Sequence, residues 1–350
     1  MNIQSEVKTP TAPQTPPVLV EFTRGDLVEC VGRGYVCVVD SAGELIYNQG
    51  DPDFMTYLRS TAKPLQALSV ILSGAAASFR LEDREISLIC GSHAGEEIHT
   101  ETVASILLKG GLDPTFLQCG THLPFDKATR NALLKAGTAP KPLHHNCSGK
   151  HSGMLLTAQH CGESLADYLD PASPTQQRIT ENIAIMAGVS PADIPIGIDG
   201  CSAPVHGLTM RNAAHALARL IEPEGLDPLM ASATVTIGRS MRTYPEMVAG
   251  NTERICTELM RVGRVFELTA KGGAEGYYGA AWRDPQTGKG MGLTVKIEDG
   301  AQRSRDPLTI AMLQKFGVLP DKLNEALANF AAQPIRNHSG KIIGDVHCCI

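Results

Sequence analysis

The sequence predicts a mixed α/β fold of the α+β sandwich type, in which an antiparallel sheet is assembled from the two ends of the chain and a helical subdomain is inserted between them. Three observations carry this expectation. Strand-like apolar runs are confined to the first and last thirds, apolar residues recur at helical spacing through the middle, and no linker or internal repeat separates the two regimes.

Residues 1–17 are rich in Pro, Thr and Gln, a composition that buries too little surface to order itself, and they read as a flexible tail. From Val18 the runs VLVEF, GYVCVVD and GELIYNQGD read as strands, with GDLVECVGRG separating the first two. Helical patterning then covers Lys63–Leu72, Glu97–Lys109, Lys127–Ala136, Ser152–His160, Pro174–Met186, Leu208–Ile221 and Pro228–Arg242. Strands resume at VFELTAKGG, YYGAAWRD and MGLTVKIED, and helices close the chain over Asp306–Phe316 and Leu319–Phe330. A single domain over 18–350 follows, with its sheet drawn from about 18–60 and 262–350 and its helical part from about 61–261. A cleft is expected where the two parts meet.

A chain of 350 residues buries a core without disulfide or metal staples. Its formal charge is 31 − 37 = −6 with no Lys/Arg-rich run, so it lacks the electrostatic footprint of a nucleic-acid partner. No segment approaches the ~18 consecutive apolar residues of a spanning helix, and the N-terminus lacks the order of a signal peptide. No membrane partner and a cytoplasmic location are expected. The ten cysteines should then stay reduced. Cys30, Cys37, Cys90, Cys119, Cys161 and Cys256 read as small core residues, and Cys348 and Cys349 sit too late for a prenylation signal. Cys147 and Cys201 differ because each lies in a polar, Gly-containing loop.

The most chemically suggestive segment is Arg59-Ser60-Thr61-Ala62-Lys63-Pro64. Pro64 belongs near a helix start, which places Ser60 at an N-terminus and Lys63 three residues on along the same face. A serine hydroxyl needs a base, and a lysine serves only if its pKa falls from about 10.4 toward neutrality. Ser-x-x-Lys alone also reads as an ordinary cap followed by a solvent-facing lysine. Ser92, in Cys90-Gly91-Ser92-His93-Ala94-Gly95-Glu96, and strand-end Lys271-Gly272-Gly273 follow in the order of the elements of penicillin-recognising serine enzymes, although Ser-His-Ala stands where Ser-Asp-Asn would. Two lysines close together depress one another's pKa, and glycines beside Lys271 let backbone N–H groups approach a carbonyl. Acyl transfer is the reaction class this arrangement suggests.

LVEFTRGDLVE, RSTAKPLQAL, CGSHAGEEIH, HHNCSGKHSGML, IGIDGCSAPVHGL, YPEMVAGNTERICTELM and AKGGAEGYYGAA together resemble the L-asparaginase II family, the rhizobial type, from about Val18 to the C-terminus. The resemblance implies a serine β-lactamase-like fold, a homodimer, and hydrolysis of L-asparagine to L-aspartate and ammonia. It makes Ser60 the nucleophile with Lys63 as its partner, and places Ser92 and Lys271 in a second pair across the cleft. It also assigns one zinc ion per chain to Cys147, Lys150 and Cys201; from spacing alone the two cysteines read as loop residues, and lysine is a rare ligand. Zinc is expected to tune substrate binding, since the serine already supplies the nucleophile. Thr61 stands where the family usually has a second serine, and keeps its hydroxyl.

The zwitterionic head of asparagine calls for a cation and a carboxylate in the pocket. Arg59 and His151 are candidates for the first and Asp199 and Glu275 for the second, with Asn146, Gly272 and Gly273 completing the expected substrate site. Arg59 reads equally as a surface residue and Glu275 as a partner of Lys271. His93, His144 and His145 read as supports of the motif loops, and His206 as structural. Two other functions stay open on sequence: an acyl-serine amidohydrolase acting on glutamine or a β-lactam, and a metal-binding protein on an inactive hydrolase scaffold.

Overall fold

The computed structural model describes residues 15–350. Its strands are β1 (Val18–Arg24), β2 (Leu27–Asp40), β3 (Leu45–Gln49), β4 (Met55–Tyr57), β5 (Ile196–Ile198), β6 (Pro204–Thr209), β7 (Thr269–Gly272), β8 (Tyr277–Arg283), β9 (Gly290–Ile297), β10 (Ile335–Arg336), β11 (Ile342–Gly344) and β12 (Val346–Cys348). The main sheet runs β12-β1-β2-β9-β8-β7, with β3 also paired to β2, and every pairing is antiparallel. Both ends of the chain therefore build one sheet, and the mixed α/β architecture matches the expectation. The central seam is β2 on β9, from Gly34 opposite Ile297 to Asp40 opposite Met291.

Val36, Cys37, Val38 and Val39 are all buried, so this stretch of β2 is covered on both faces and reads as an unbroken apolar run. The helices Met210–Ala218 and Gln302–Lys315 both pack on the sheet. Gly292 lets the first of them close in: a Cβ there would stand 1.9 Å from the Ala214 carbonyl oxygen. Between the two sheet-building parts lie helices Glu97–Lys109, Ser148–His160, Pro174–Ala187 and Pro228–Thr243.

Several elements depart from expectation. Residues 1–14 of the expected flexible tail lie outside the described residues. Pro16 and Pro17 are tied to the sheet: the Pro16 carbonyl accepts from Arg33 and the Pro17 carbonyl from the Gly34 N–H. The GDLVECVGRG segment contains a tight turn at Gly25 and then continues as strand, because β2 pairs with β1 through its first half and with β9 through its second. The expected helix Lys63–Leu72 is broken at Ala67, giving Lys63–Gln66 and Leu68–Leu72 behind a 3₁₀ turn at Arg59–Ala62. Helices Asp83–Ile89 and Ile255–Val262 are additions to the expected elements, and the expected helix Leu319–Phe330 shrinks to Glu325–Ala328. Within the expected helical part, β5 and β6 join β4 in a small second sheet, so Leu208 is strand and its helix starts at Met210.

Candidate active site

Ser60 sits in the 3₁₀ turn Arg59–Ala62, directly ahead of the helix holding Pro64 in its first turn. Arg59 is held at φ +50°, a left-handed conformation that a non-glycine residue adopts only when its surroundings impose it. What imposes it is visible. The Arg59 guanidinium donates to Asp199 Oδ1 at 2.7 and 3.3 Å and lies 3.8 Å from Glu275. Burial alone would raise the Asp199 pKa, but hydrogen bonds from Arg59 and from the Gly200 N–H hold the carboxyl below the usual range.

Ser92 follows the helix Asp83–Ile89, and its hydroxyl is the meeting point of the two lysines. Lys63 Nζ lies 2.9 Å from Ser92 Oγ and also donates to the Gly91 carbonyl at 2.7 Å and the Asn146 carbonyl at 3.3 Å. Lys271 Nζ, delivered by β7, lies 2.9 Å from the same hydroxyl and donates to the Gly272 carbonyl at 2.8 Å. Both lysines are almost fully buried, at 1% and 2% exposure, and no carboxylate pairs with either among the described residues. Burial and the neighbouring Lys63 bring the Lys271 amine down to about 7. Lys63, expected beside Ser60, is turned to Ser92 instead; no hydrogen bond joins Lys63 Nζ to Ser60 Oγ among the described residues.

Above this group opens a cavity of about 660 Å³, in the size range of small-molecule sites. Ser60, Ser92, Asn146, Lys271, Gly272 and Gly273 line it as the sequence suggested. Arg59, His151, Asp199 and Glu275 do not line it; Arg59, Asp199 and Glu275 are occupied with one another. The residues the sequence reading missed are Phe125, Arg254, Cys256, Arg305 and Phe330 on the cavity wall, and His122, whose Nε2 lies 3.0 Å from the Asn146 N–H. Arg254 and Cys256 stand in the YPEMVAGNTERICTELM block, but neither that block nor the segments of the other residues mark them as facing Ser60, and the folded chain gathers them.

The glycine amides proposed for a developing oxyanion are already engaged. Gly272 N–H donates to Cys256 Sγ at 3.2 Å and Gly273 N–H to the Tyr277 carbonyl at 2.9 Å. The next amide, Ala274 N–H, lines the cavity and has no partner among the described residues.

Cys147, Lys150 and Cys201 do come together. Cys147 and Lys150 sit at the start of helix Ser148–His160, and Cys201 lies in the loop between β5 and β6. Lys150 Nζ donates to Cys201 Sγ at 3.2 Å. Its hydrogen bond with Cys201 holds the Cys147 thiol well below its ordinary value, against the effect of burial. Among the described residues no group of three or more His, Cys, Asp and Glu side chains gathers as a metal site. His151 backs the cluster: the Tyr168 hydroxyl accepts from the Gln118 N–H at 3.0 Å and pairs with His151 Nδ1 at 2.7 Å. His151 Nε2 has no hydrogen-bond partner among the described residues, and Cys201 lies near enough to act on the ring. Burial lowers His151 to about 4, so the ring is neutral.

Comparison with known proteins brings these observations together. The family model described as L-asparaginase II matches residues 20–348. Among curated proteins none matches the chain. Among solved structures, the chain is similar to a covalent complex of a Bacillus subtilis glutaminase with 5-oxo-L-norleucine, at 13% identity over 82% of this chain and 87% of that one, TM-score 0.38. It is also similar to a Mycobacterium bovis β-lactamase, at 13% identity over 81% and 94% of the two chains, TM-score 0.44. Among the described residues no helix is long and apolar enough to cross a membrane.

Proposed function

From the chain's membership of the L-asparaginase II family, we propose that it hydrolyses L-asparagine to L-aspartate and ammonia through a seryl ester on Ser60. The observation that carries this reading is the Ser92 hydroxyl held 2.9 Å from both Lys63 Nζ and Lys271 Nζ, on the floor of a cavity that also takes Ser60. Two amines sharing one hydroxyl form a proton relay, and the amine lowered to about 7 supplies a neutral acceptor near neutral pH.

Ser60 Oγ attacks the side-chain amide carbon, and its proton passes into the Lys63–Ser92–Lys271 relay. The carbonyl oxygen takes up negative charge where the Ala274 N–H and the N–H groups opening the Ser60 turn can meet it. Collapse breaks the C–N bond, and the relay returns the proton to the departing nitrogen, which leaves as ammonia. A water then attacks the ester, gives a proton to the relay, and frees aspartate and the Ser60 hydroxyl. The strained Arg59 backbone and its carboxylate partners fix the turn that aims Ser60.

Cys147, Lys150 and Cys201 would hold a zinc ion through two buried sulfurs and a buried amine, Lys150 Nζ lying 3.2 Å from Cys201 Sγ, with the amine, whose pKa the thiols raise, giving up its proton on binding. When bound, zinc would place positive charge beside the Arg59–Asp199 pair that positions Ser60. The thiols do not line the cavity, which supports a tuning role over a hydrolytic one.

The test is ammonia release from L-asparagine. Ser60→Ala and Lys63→Ala should each cut turnover at least about 10³-fold. Retained turnover in Ser60→Ala with loss in Ser92→Ala would transfer the nucleophile to Ser92. Parallel assays with L-glutamine and a chromogenic β-lactam decide the substrate class.

A further inference from the structure

The cavity floor carries more positive charge than the proton relay needs. Besides Lys271 it holds Arg254, the residue at the N-cap position of helix Ile255–Val262. Arg254 Nη2 donates to the Ser92 carbonyl at 3.1 Å, so the guanidinium is tied to the residue whose hydroxyl joins the two lysines. Its carbon lies 5.4 Å from the centroid of the Phe125 ring, which holds the group against the cavity wall.

Arg254 makes no ion pair among the described residues, and neither do Lys63 and Lys271, while the other cations nearby are matched. Arg305 pairs with Asp306, Arg59 with Asp199, and Lys127 with Glu253. The Asp126 carboxylate accepts from Thr129 at the start of its own helix. Glu96, the other nearby carboxylate, has both oxygens engaged by Asn251. Burial lowers the Arg254 pKa, against the opposing effect of Cys256 and Glu96. A guanidinium left with free N–H donors at the edge of a reactive centre presents the fork that matches a carboxylate.

We propose that Arg254 is the carboxylate anchor of this cavity and binds the α-carboxylate of the substrate while its side-chain amide faces Ser60. The inference rests on the asparaginase reading above and names the group that recognises the amino-acid end. Arg59 and His151, the cations the sequence offered for this task, lie off the cavity, so the role falls to a residue the fold brings in from elsewhere. In asparagine the amide and the α-carboxylate are separated only by a methylene and the α-carbon. One end can therefore reach Ser60 while the other meets a guanidinium bonded to the Ser92 backbone.

The experiment compares L-asparagine with 3-aminopropanamide, the same molecule without its α-carboxylate, in the wild type, Arg254→Met and Arg254→Lys. Arg254→Met should lower kcat/KM for asparagine by about 10²-fold, chiefly through KM, and leave 3-aminopropanamide within about threefold of wild type. Arg254→Lys should recover part of the loss, because it restores the charge without the fork. An equal fall for both substrates would overturn the proposal, since it would show that Arg254 merely holds Ser92 in place. Should the wild type turn over neither substrate, the asparaginase reading fails, and calorimetric titration with L-aspartate and β-alanine still tests the anchor. Binding of L-aspartate but not β-alanine by the wild type, lost in Arg254→Met, would support it; equal binding of both compounds, or an unchanged Arg254→Met, would overturn it.

Discussion

Two buried lysines of this molecule are driven in opposite directions. Lys271 shares a hydroxyl with a second lysine and hydrogen-bonds otherwise only to the Gly272 carbonyl, and burial and Lys63 outweigh the thiols of Cys256 and Cys147 to bring its amine down to about 7. Lys150 is as deeply buried, and burial works against its charge too, but Cys201 and Cys147 beside it raise the amine above the ordinary lysine value. Burial is common to both, so the neighbours decide the outcome. One side-chain type is thus held at a depressed pKa in one cluster and at a raised pKa beside sulfur in the other.

The largest effect expected from breaking this contrast is at Lys271. Replacing it by Met removes the depressed amine but keeps the buried stem, and should lower kcat/KM for asparagine about 10³-fold. Its folded pKa of about 7 lies below the ordinary 10.5. Between these values the unfolded chain binds the extra proton, so this group makes stability rise with pH across that window and costs most below it. Lys271→Met should therefore be more stable than wild type at neutral pH by about 1–4 kcal/mol, with a smaller stability gain as pH rises. Thermal denaturation at pH 7 and pH 10 reads this directly. The same protonation predicts that wild-type kcat/KM climbs through about pH 7, and a flat profile would remove Lys271 as the neutral acceptor.

The matching change in the second cluster is smaller. Cys201→Ser should abolish stoichiometric zinc, measured by metal analysis, and lower kcat/KM by about tenfold. Turnover should survive because Ser60, Ser92 and Lys271 line the cavity and the thiols do not. A loss as deep as that of Lys271→Met would give the metal a direct part in the chemistry.

How much of this was legible in the sequence depends on distance along the chain. The sheet from both ends, the turn around Ser60, and the Ser-Lys elements were readable because each is a local pattern or an ordered motif. Helix Asp83–Ile89 was missed because it is short and buried over most of its length, which erases the polar stripe that marks an amphipathic helix. The pairing of Arg59 with Asp199 spans 140 positions, and Arg254 reaches Ser92 across 162, so neither leaves a trace at helical or strand spacing. Arg59 lies next to Ser60 in the chain, while the fold turns its charge to carboxylates that do not line the cavity.

The finest distinction concerns how the thiol cluster is held. Tyr168 is fully buried, and its hydroxyl links the Gln118 N–H to His151 Nδ1, which fixes the orientation of the ring beside Cys201. Tyr168→Phe keeps the ring and removes this link, leaving a buried imidazole nitrogen and a backbone N–H without their partner. That should cost about 1–3 kcal/mol of stability, a fall of a few degrees in Tm for a chain of this size. Nothing in the Lys63–Ser92–Lys271 relay touches Tyr168, so the pH profile of kcat/KM should be unchanged, whereas zinc affinity should drop about tenfold. A shifted pH profile with intact zinc binding would show that the two lysine clusters are coupled through the helix Ser148–His160, and that the contrast between them is not local.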